Sequence, residues 1–164
     1  MKNADSDVGI LRRDGVDFHY VREGEGPPIV VIGSSTYYPR AFSPALREYF
    51  ELIFVDSRHF IPSYQPTEKE LESLTLETFA DDIEALRTHL AIDKWTVLGH
   101  SVHAQIALAY ATKYPERTSH LVLVAGVPYS FAELGEVQEN FWNKHASQKR
   151  KERHAANRSA IRGS

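Results

Sequence analysis

The sequence predicts an α/β domain built on a mostly parallel, doubly wound sheet that opens with an antiparallel hairpin. Short apolar runs rich in β-branched residues alternate with helical patterns, which is typical of parallel sheets covered by helices. Asp14-Gly15 separates two segments of alternating character, as in a two-residue hairpin. The 164 residues are 42% hydrophobic, so the chain is long enough to bury one core. We therefore expect one globular domain.

The elements follow in order from these patterns. Residues 8–13 and 16–22 flank the Asp-Gly turn and predict the first two strands. Four further apolar runs read as strands buried on both faces, as central parallel strands are. These runs are residues 29–32, 52–55, 95–98 and 121–126.

Three helices are predicted between the strands. Ser43-Pro44 starts a short helix over residues 42–49, and an alanine-rich helix follows Ser101 and ends before Pro115. A longer helix begins near Thr75, and spacings of three and four residues place one apolar stripe against the sheet. That stripe is Leu76, Phe79, Ile83, Leu86 and Leu90. The same pattern turns Asp81, Asp82, Glu84 and Arg87 mostly outward, with the two aspartates as first-turn charges that the helix dipole favours.

Composition excludes several classes of function. The chain has no cysteine, which rules out disulfides, thiolate metal sites and cysteine nucleophiles. No histidine pair has a metal-ligand spacing with a supporting carboxylate, so we expect neither a metal nor a cofactor. The polar N-terminus offers no apolar signal segment, and we expect a cytoplasmic protein without membrane contact.

The C-terminal part differs from the rest in period and charge. From residue 130 the pattern becomes helical, and from Lys144 onward seven Lys or Arg residues stand against one acidic residue, although the whole chain has a net charge of −3. A basic tail of this kind could contact nucleic acid. It lacks interleaved aromatic residues, however, so a solvated surface helix is the preferred interpretation and no nucleic-acid partner is expected.

The candidate nucleophile is Ser101. A β-branched strand stops at Gly99, Ser101 follows in a sharp turn, and a helix begins at once. In such a turn the serine side chain stands clear of the sheet edge and the first amides of the helix point at the group that it attacks. A serine hydroxyl is a poor nucleophile at neutral pH, so this role needs a histidine base held by a carboxylate.

Residues 99–103, Gly-His-Ser-Val-His, resemble the G-x-S-x-G nucleophile elbow of the α/β-hydrolase fold. His103 stands where the pattern has its second glycine. The segments 114–117 and 121–124 are similar to the proline-iminopeptidase-like branch of that family. The resemblance implies hydrolysis of an ester or amide, aminopeptidase-like in one variant, through an acyl-enzyme on Ser101. It also divides the chain into two parts. Residues 1–129 are the hydrolase core, which is truncated after its sixth strand. Residues 130–164 are either the start of a helical cap or a basic helical tail.

The resemblance also assigns an oxyanion hole. The loop after residue 32 falls where the family has its His-Gly oxyanion loop, with Gly33 at the histidine position and Ser34 at the glycine position. We carry the role to the backbone of Ser34 or Ser35, together with the amide of Val102. An ordinary loop of small residues is the alternative. The pocket candidates are Tyr37, Tyr38 and His100, of which the two tyrosines could equally cover the core.

The acid and base of the triad are not evident in this sequence. The family order places them on loops after later strands. Four histidines are candidate bases, and none is assigned the role: the turn aims His100 and His103 into the fold, His120 lies at the wrong end of a strand, and His59, on a loop at the same sheet edge, is the least implausible. Asp56 and Arg58 resemble a D-x-R-G loop, where such residues fix the loop by hydrogen bonds. The main hypothesis is therefore a serine hydrolase completed by a His-carboxylate pair outside the chain, and the alternative is a non-catalytic domain that dimerises or binds a complementary chain.

Overall fold

Six strands form one sheet in the order β1-β2-β4-β3-β5-β6 in the computed structural model, which describes residues 7–126 and 131–162. The pairs β4-β3, β3-β5 and β5-β6 are parallel, whereas β1-β2 and β2-β4 are antiparallel. The strands are β1 (Asp7–Arg13), β2 (Val16–Glu23), β3 (Pro28–Gly33), β4 (Glu51–Asp56), β5 (Trp95–His100) and β6 (Thr118–Val124). The predicted fold class is confirmed.

The Asp-Gly turn forms the hairpin that the sequence predicts. Arg13 pairs with Val16, so only two residues connect β1 and β2. Asp14 and Gly15 both have positive φ, at 51° and 75°. Aspartate and glycine tolerate this conformation, and its twist matches that of the flanking strands. The hairpin then adds to the parallel strands through β2, where Tyr20 pairs with Val55.

Six α-helices occur in the described ranges: α1 (Tyr38–Ala41), α2 (Glu68–Ser73), α3 (Leu76–His89), α4 (His103–Lys113), α5 (Phe131–His145) and α6 (Gln148–Arg162). The short helix predicted over residues 42–49 is present, although it is a 3-10 helix and covers only Pro44–Glu48. It begins at Ser43-Pro44 as predicted: Ser43 is the N-cap, extended with ψ of 134°, and its hydroxyl accepts a hydrogen bond from the Ala45 amide. Proline suits this first position because it keeps the residue before it extended. α1 ends before this stretch.

The two faces of the sheet are covered differently. On one face α3 and α4 bury the larger cluster, which includes Leu86, Trp95, Val97 and Tyr110. On the other face the segment from Tyr38 to Phe50 covers a smaller cluster around β3 and β4. The carboxyl ends of the parallel strands β3, β4 and β5 therefore lie between two packed layers, which is where ligands bind in open α/β sheets.

Two charged residues of α3 are buried, against the prediction. Asp82 lies in the middle of the helix, 4% exposed, and accepts two hydrogen bonds from the Arg58 guanidinium at 2.7 and 2.9 Å. Burial raises the pKa of Asp82, although Arg58 acts in the opposite direction. Arg87, 9% exposed, binds Glu84 and the backbone carbonyls of Ile92 and Asp93. The helical period cannot reveal a partner on a distant loop, which is why Asp82 looked like a surface charge. Arg87 is buried instead by local partners, its own helix and the turn that follows it.

β6 was predicted to be a central strand, and it lies at an edge of the sheet. Within the described residues no strand pairs with its outer side. Val122, Leu123 and Val124 are 37%, 46% and 43% exposed. The apolar run therefore marks a strand with an apolar surface that this part of the chain leaves uncovered.

Contacts divide the chain into two units, residues 1–127 and 128–164. The predicted boundary between residues 129 and 130 falls outside the described ranges. In the second unit, α5 and α6 are joined through Trp142, whose ring lies 5.2 Å from that of His154 and 5.0 Å from the Arg150 guanidinium. No helix in the described ranges combines the length and the apolar character needed to cross a bilayer.

Candidate active site

Ser101 occupies a strained turn between β5 and α4. Its φ is 56°, a left-handed conformation that costs a residue other than glycine about 1–3 kcal/mol. The turn is fixed on both sides, because the Ser101 amide donates to the carbonyl of Val124 at 2.9 Å and its carbonyl accepts from the amide of Ala104 at 3.1 Å. The side chain is half-buried and lines a cavity. This is the geometry of a nucleophile elbow.

Gly99 permits the close approach of α4 to β5. A Cβ atom on Gly99 would lie 2.3 Å from the carbonyl oxygen of His103 and 2.7 Å from Cα of Ala104, and both are backbone atoms that cannot rotate away. The first glycine of the elbow is therefore required by packing.

We expect Gly99→Ala to lower the free energy of unfolding by about 1–3 kcal/mol, since the added methyl group must push α4 off the strand. Urea unfolding followed by circular dichroism measures the loss. Gly135→Ala is the matched control, because a Cβ there meets nothing within 4 Å and alanine is the better helix former. Equal effects of the two substitutions would contradict this account of Gly99.

The cavity around Ser101 has a volume of about 420 Å³ and is lined by most of the predicted site residues. These are Ser34, Tyr37, Tyr38, His100, Ser101 and Val102. Ser35 does not line it. Instead, Ser35 is 5% exposed, and its amide donates to Asp56 Oδ1 at 2.6 Å. Asp56 thus fixes the loop after β3 by a hydrogen bond, the structural kind of role predicted for it.

The backbone amides of the loop after β3 are largely committed. Thr36 and Tyr37 donate to Ser34 Oγ at 3.3 and 3.2 Å, and Tyr38 donates to the Ser34 carbonyl at 3.3 Å. Within residues 7–126, the amides of Ser34 and Val102 have no hydrogen-bond acceptor. Both residues line the cavity beside Ser101, so these two amides are the ones available to bind an anionic oxygen there.

A second cavity of about 360 Å³ adjoins the first, and Tyr37, Tyr38 and His100 line both. Its remaining wall is mostly apolar and was not predicted: Ala41, Phe42, Ser43, Leu46, Leu98 and Val124. The four-residue spacing of Tyr38, Phe42 and Leu46 is the signal that could have revealed one side of it. The described lining of the two cavities contains no Lys, Arg, Asp or Glu.

The histidines near the elbow are engaged in contacts other than with Ser101. His100 Nδ1 lies 3.2 Å from the Tyr38 hydroxyl, and His59 Nδ1 lies 3.1 Å from the Ser57 hydroxyl. Among residues 7–126 and 131–162, no group lies within hydrogen-bonding geometry of either ring nitrogen of His103. Burial, and next the neighbouring His59, lower the pKa of His103 to about 4, so its imidazole is neutral at pH 7. Within residues 7–126 no histidine is hydrogen-bonded to the Ser101 hydroxyl.

A catalytic base for Ser101 is therefore not assembled in this part of the chain. The described residues also contain no cluster of three or more His, Cys, Asp or Glu side chains that could hold a metal ion. What the site does offer is a strained serine, two amides and a cavity without full charges. An elbow of this form, on a parallel sheet with helices on both faces, defines the class of α/β enzymes that place a nucleophile after a strand.

The comparison with family models identifies the particular family. Residues 29–161 match the model described as alpha/beta hydrolase fold, so the chain belongs to the α/β-hydrolase family. Among curated proteins it is 41% identical over 146 residues to the AB hydrolase superfamily protein YclE of Bacillus subtilis, a match covering 89% of this chain and 51% of YclE.

Two further relatives carry different names. A cis-3-alkyl-4-alkyloxetan-2-one decarboxylase of Shewanella oneidensis is 31% identical over 118 residues, covering 70% of this chain and 37% of that protein. An epoxide hydrolase structure from an endophytic Streptomyces matches with a TM-score of 0.64 at 23% identity, over 76% of this chain and 38% of that one, which shows the shared fold. The chain thus spans about half the length of YclE and less of the others.

Proposed function

We propose that this chain is the nucleophile-bearing part of a serine hydrolase that cleaves ester or amide bonds through an acyl-enzyme on Ser101. The observation that carries the proposal is that the strained Ser101 lines one cavity together with Ser34 and Val102, whose amides have no acceptor within residues 7–126. A strained serine costs stability, and such strain persists at sites that use it.

In the proposed reaction, Ser101 Oγ attacks the carbonyl carbon of the substrate and its proton passes to a histidine base. The amides of Ser34 and Val102 donate hydrogen bonds to the resulting oxyanion, each such donor contributing about 3 kcal/mol to transition-state stabilisation. The alcohol or amine then leaves with the proton. Water next attacks the acyl group, releasing the acid and restoring the serine. The base and its carboxylate lie outside residues 7–126 in this proposal.

The chemistry of the lining favours a neutral, apolar acyl group. The cavity beside Ser101 opens next to Ala41, Phe42 and Leu46, and no acidic side chain among the described residues lines either space. A free α-amino group would need an anionic partner when it is taken out of water. Aminopeptidase-like activity and the proline-iminopeptidase-like branch therefore stay predictions without support from these cavities. A cytoplasmic location also stays a prediction.

We test the proposal by incubating the chain with a fluorophosphonate from pH 7 to pH 10 and measuring intact mass and the modified peptide. Without a resident base the reaction depends on hydroxide, so we expect a slow single adduct on Ser101 that forms faster as the pH rises. Ser101→Ala should abolish the adduct.

The matched control is Ser63→Ala, which removes an exposed hydroxyl away from the cavity and should leave the adduct on Ser101 unchanged. Folding of each variant is checked by circular dichroism. A folded parent chain that acquires the adduct on another serine and not on Ser101 would overturn the assignment of the nucleophile.

A second candidate function is a non-catalytic domain that binds a complementary polypeptide. The exposed apolar residues of the edge strand β6 favour it, because an uncovered strand edge is a template for pairing with another chain. We take the occupant to be a chain that adds strands beside β6, with a second copy of this protein as the other outcome. Light scattering on the purified chain separates the two, since a homodimer has twice the monomer mass, whereas a chain that pairs with a different polypeptide has the monomer mass when it is alone.

A further inference from the structure

The imidazole of His103 occupies the space next to Gly33. His103 is 4% exposed and its ring stacks on that of His59 at 5.4 Å with an interplanar angle of 18°. A Cβ atom on Gly33 would lie 2.6 Å from Cε2 of Tyr38, 2.9 Å from Cε1 of His103 and 3.0 Å from Nδ1 of His103, so two rings fill this space. The His103 ring therefore sits against the backbone at the start of the loop that carries Ser34.

The elbow holds this loop from both sides of Ser101. His100, directly before the serine, contacts the Tyr38 hydroxyl at 3.2 Å, and His103, two residues after it, packs on Gly33. The Tyr38 ring also lies edge-on to both imidazoles, at 6.1 and 6.3 Å. Ser34 lies between the two loop contacts in the sequence. Its position relative to Ser101 thus depends on rings that the elbow supplies.

We infer that Gly33 and His103 form one coupled packing pair, in which the His103 ring acts as a positioning residue that sets the Ser34 amide relative to Ser101. The pair also accounts for two departures from the family pattern. The resemblance implies histidine at position 33 and glycine at position 103, and this chain has the two residue types exchanged. A bulky residue fits at position 103 because position 33 has no side chain.

This inference rests on the proposed function only for the role of the Ser34 amide. Its test can fail or succeed independently of the proposed function. The first arm is a double-mutant cycle on melting temperature with Gly33→Ala, His103→Ala and the double variant. Gly33→Ala should lower the melting temperature because its methyl group meets the ring and because φ at this position is 142°. Removing the His103 ring relieves its part of the clash and leaves the contact with Tyr38 Cε2, so the double variant should lose less than the sum of the single losses but more than His103→Ala alone.

Gly15→Ala is the control for backbone strain. Its φ is also positive, at 75°, but a Cβ there meets nothing within 4 Å. Its effect should add to that of His103→Ala without coupling. Additive losses for Gly33→Ala and His103→Ala, like those of the control, would overturn the inference.

The second arm reports the orientation of the Ser34 amide and needs no reaction at Ser101. We expect the residual dipolar coupling of the Ser34 amide, which does not respond to the ring current of a neighbour, to change in His103→Ala and to return towards its original value in His103→Phe, which restores a ring without nitrogens. If Ser101 reacts with the fluorophosphonate, its rate should fall about tenfold in His103→Ala and recover in the phenylalanine variant.

The outcomes are distinguishable. A parent chain whose adduct forms on another serine and not on Ser101 removes the proposed function, while the thermal cycle and the residual dipolar coupling of the Ser34 amide still decide the present inference. Thermal coupling with an unchanged Ser34 dipolar coupling in His103→Ala would leave the pair as ordinary packing and overturn the positioning role.

Discussion

Replacing Asp82 with alanine should lower the free energy of unfolding by about 3–5 kcal/mol, because it leaves the buried Arg58 guanidinium without its carboxylate. The side chains of Arg58 and Asp82 are 6% and 3% exposed and are joined by two hydrogen bonds. Arg58 also lies over the rings of Phe18 and Tyr64, at 5.4 and 5.2 Å, so it cannot reach water without losing those contacts. Urea unfolding measures the effect.

Two controls separate the buried charge from a general loss of an ion pair. Arg117→Ala breaks an exposed pair with Asp93, whose nitrogen and oxygen are 2.6 Å apart, and should cost less than about 1 kcal/mol. The double variant Arg58→Met with Asp82→Leu removes both charges and should be more stable than Asp82→Ala alone. If Asp82→Ala costs no more than Arg117→Ala, the pair does not hold α3 against the loop after β4.

Acidification from pH 6.5 to pH 4 should destabilise the protein by up to about 3 kcal/mol through His103. Burial lowers the pKa of His103 from its ordinary 6.5 to about 4 in the folded state. Between these values the unfolded chain binds a proton that the folded chain does not, so the free energy of unfolding falls as the pH falls. Burial also lowers the pKa of His59, which acts in the same direction.

His103→Phe isolates this contribution. The variant keeps a ring in the same place but cannot bind a proton, so its stability should decline less steeply over this pH range than that of the parent chain. Urea unfolding at half-unit steps from pH 4 to pH 7 gives both curves, and the contribution of His59 remains in each. Parallel curves would show that His103 does not stay neutral in the folded protein.

The parts of the fold that were predicted correctly are those encoded within a few residues. The Asp14-Gly15 turn specifies a hairpin by its own backbone preferences, and the abrupt change from strand to helix at Ser101 marks the elbow. Ser43-Pro44 likewise marks the start of a short helix within residues 42–49 by a local preference, although its 3-10 form and its end at Glu48 were not predicted.

The parts that were missed depend on partners far apart in the sequence. Asp82 is buried because Arg58, 24 residues earlier, reaches it. Position 103 accepts a histidine because position 33 is a glycine, and no local pattern links two residues separated by 70 positions. Likewise, whether Ser34 or Ser35 keeps an uncommitted backbone amide depends on Asp56, which accepts a hydrogen bond from the Ser35 amide and not from that of Ser34. Such choices require three-dimensional neighbours.

The hydrogen bond between Ser35 and Asp56 also has a consequence for how such a site can diversify. Asp56 is the last residue of β4 and pairs with Gly33 of β3. The register of these two strands therefore sets the position of the loop beside Ser101. Tyr37 and Ala41, by contrast, are exposed residues on the rim of the cavities. Substitutions on the rim can change which molecules enter while the reacting geometry stays fixed. Under the proposed function, different residues would therefore set substrate preference and the reacting geometry, and each set could change without the other.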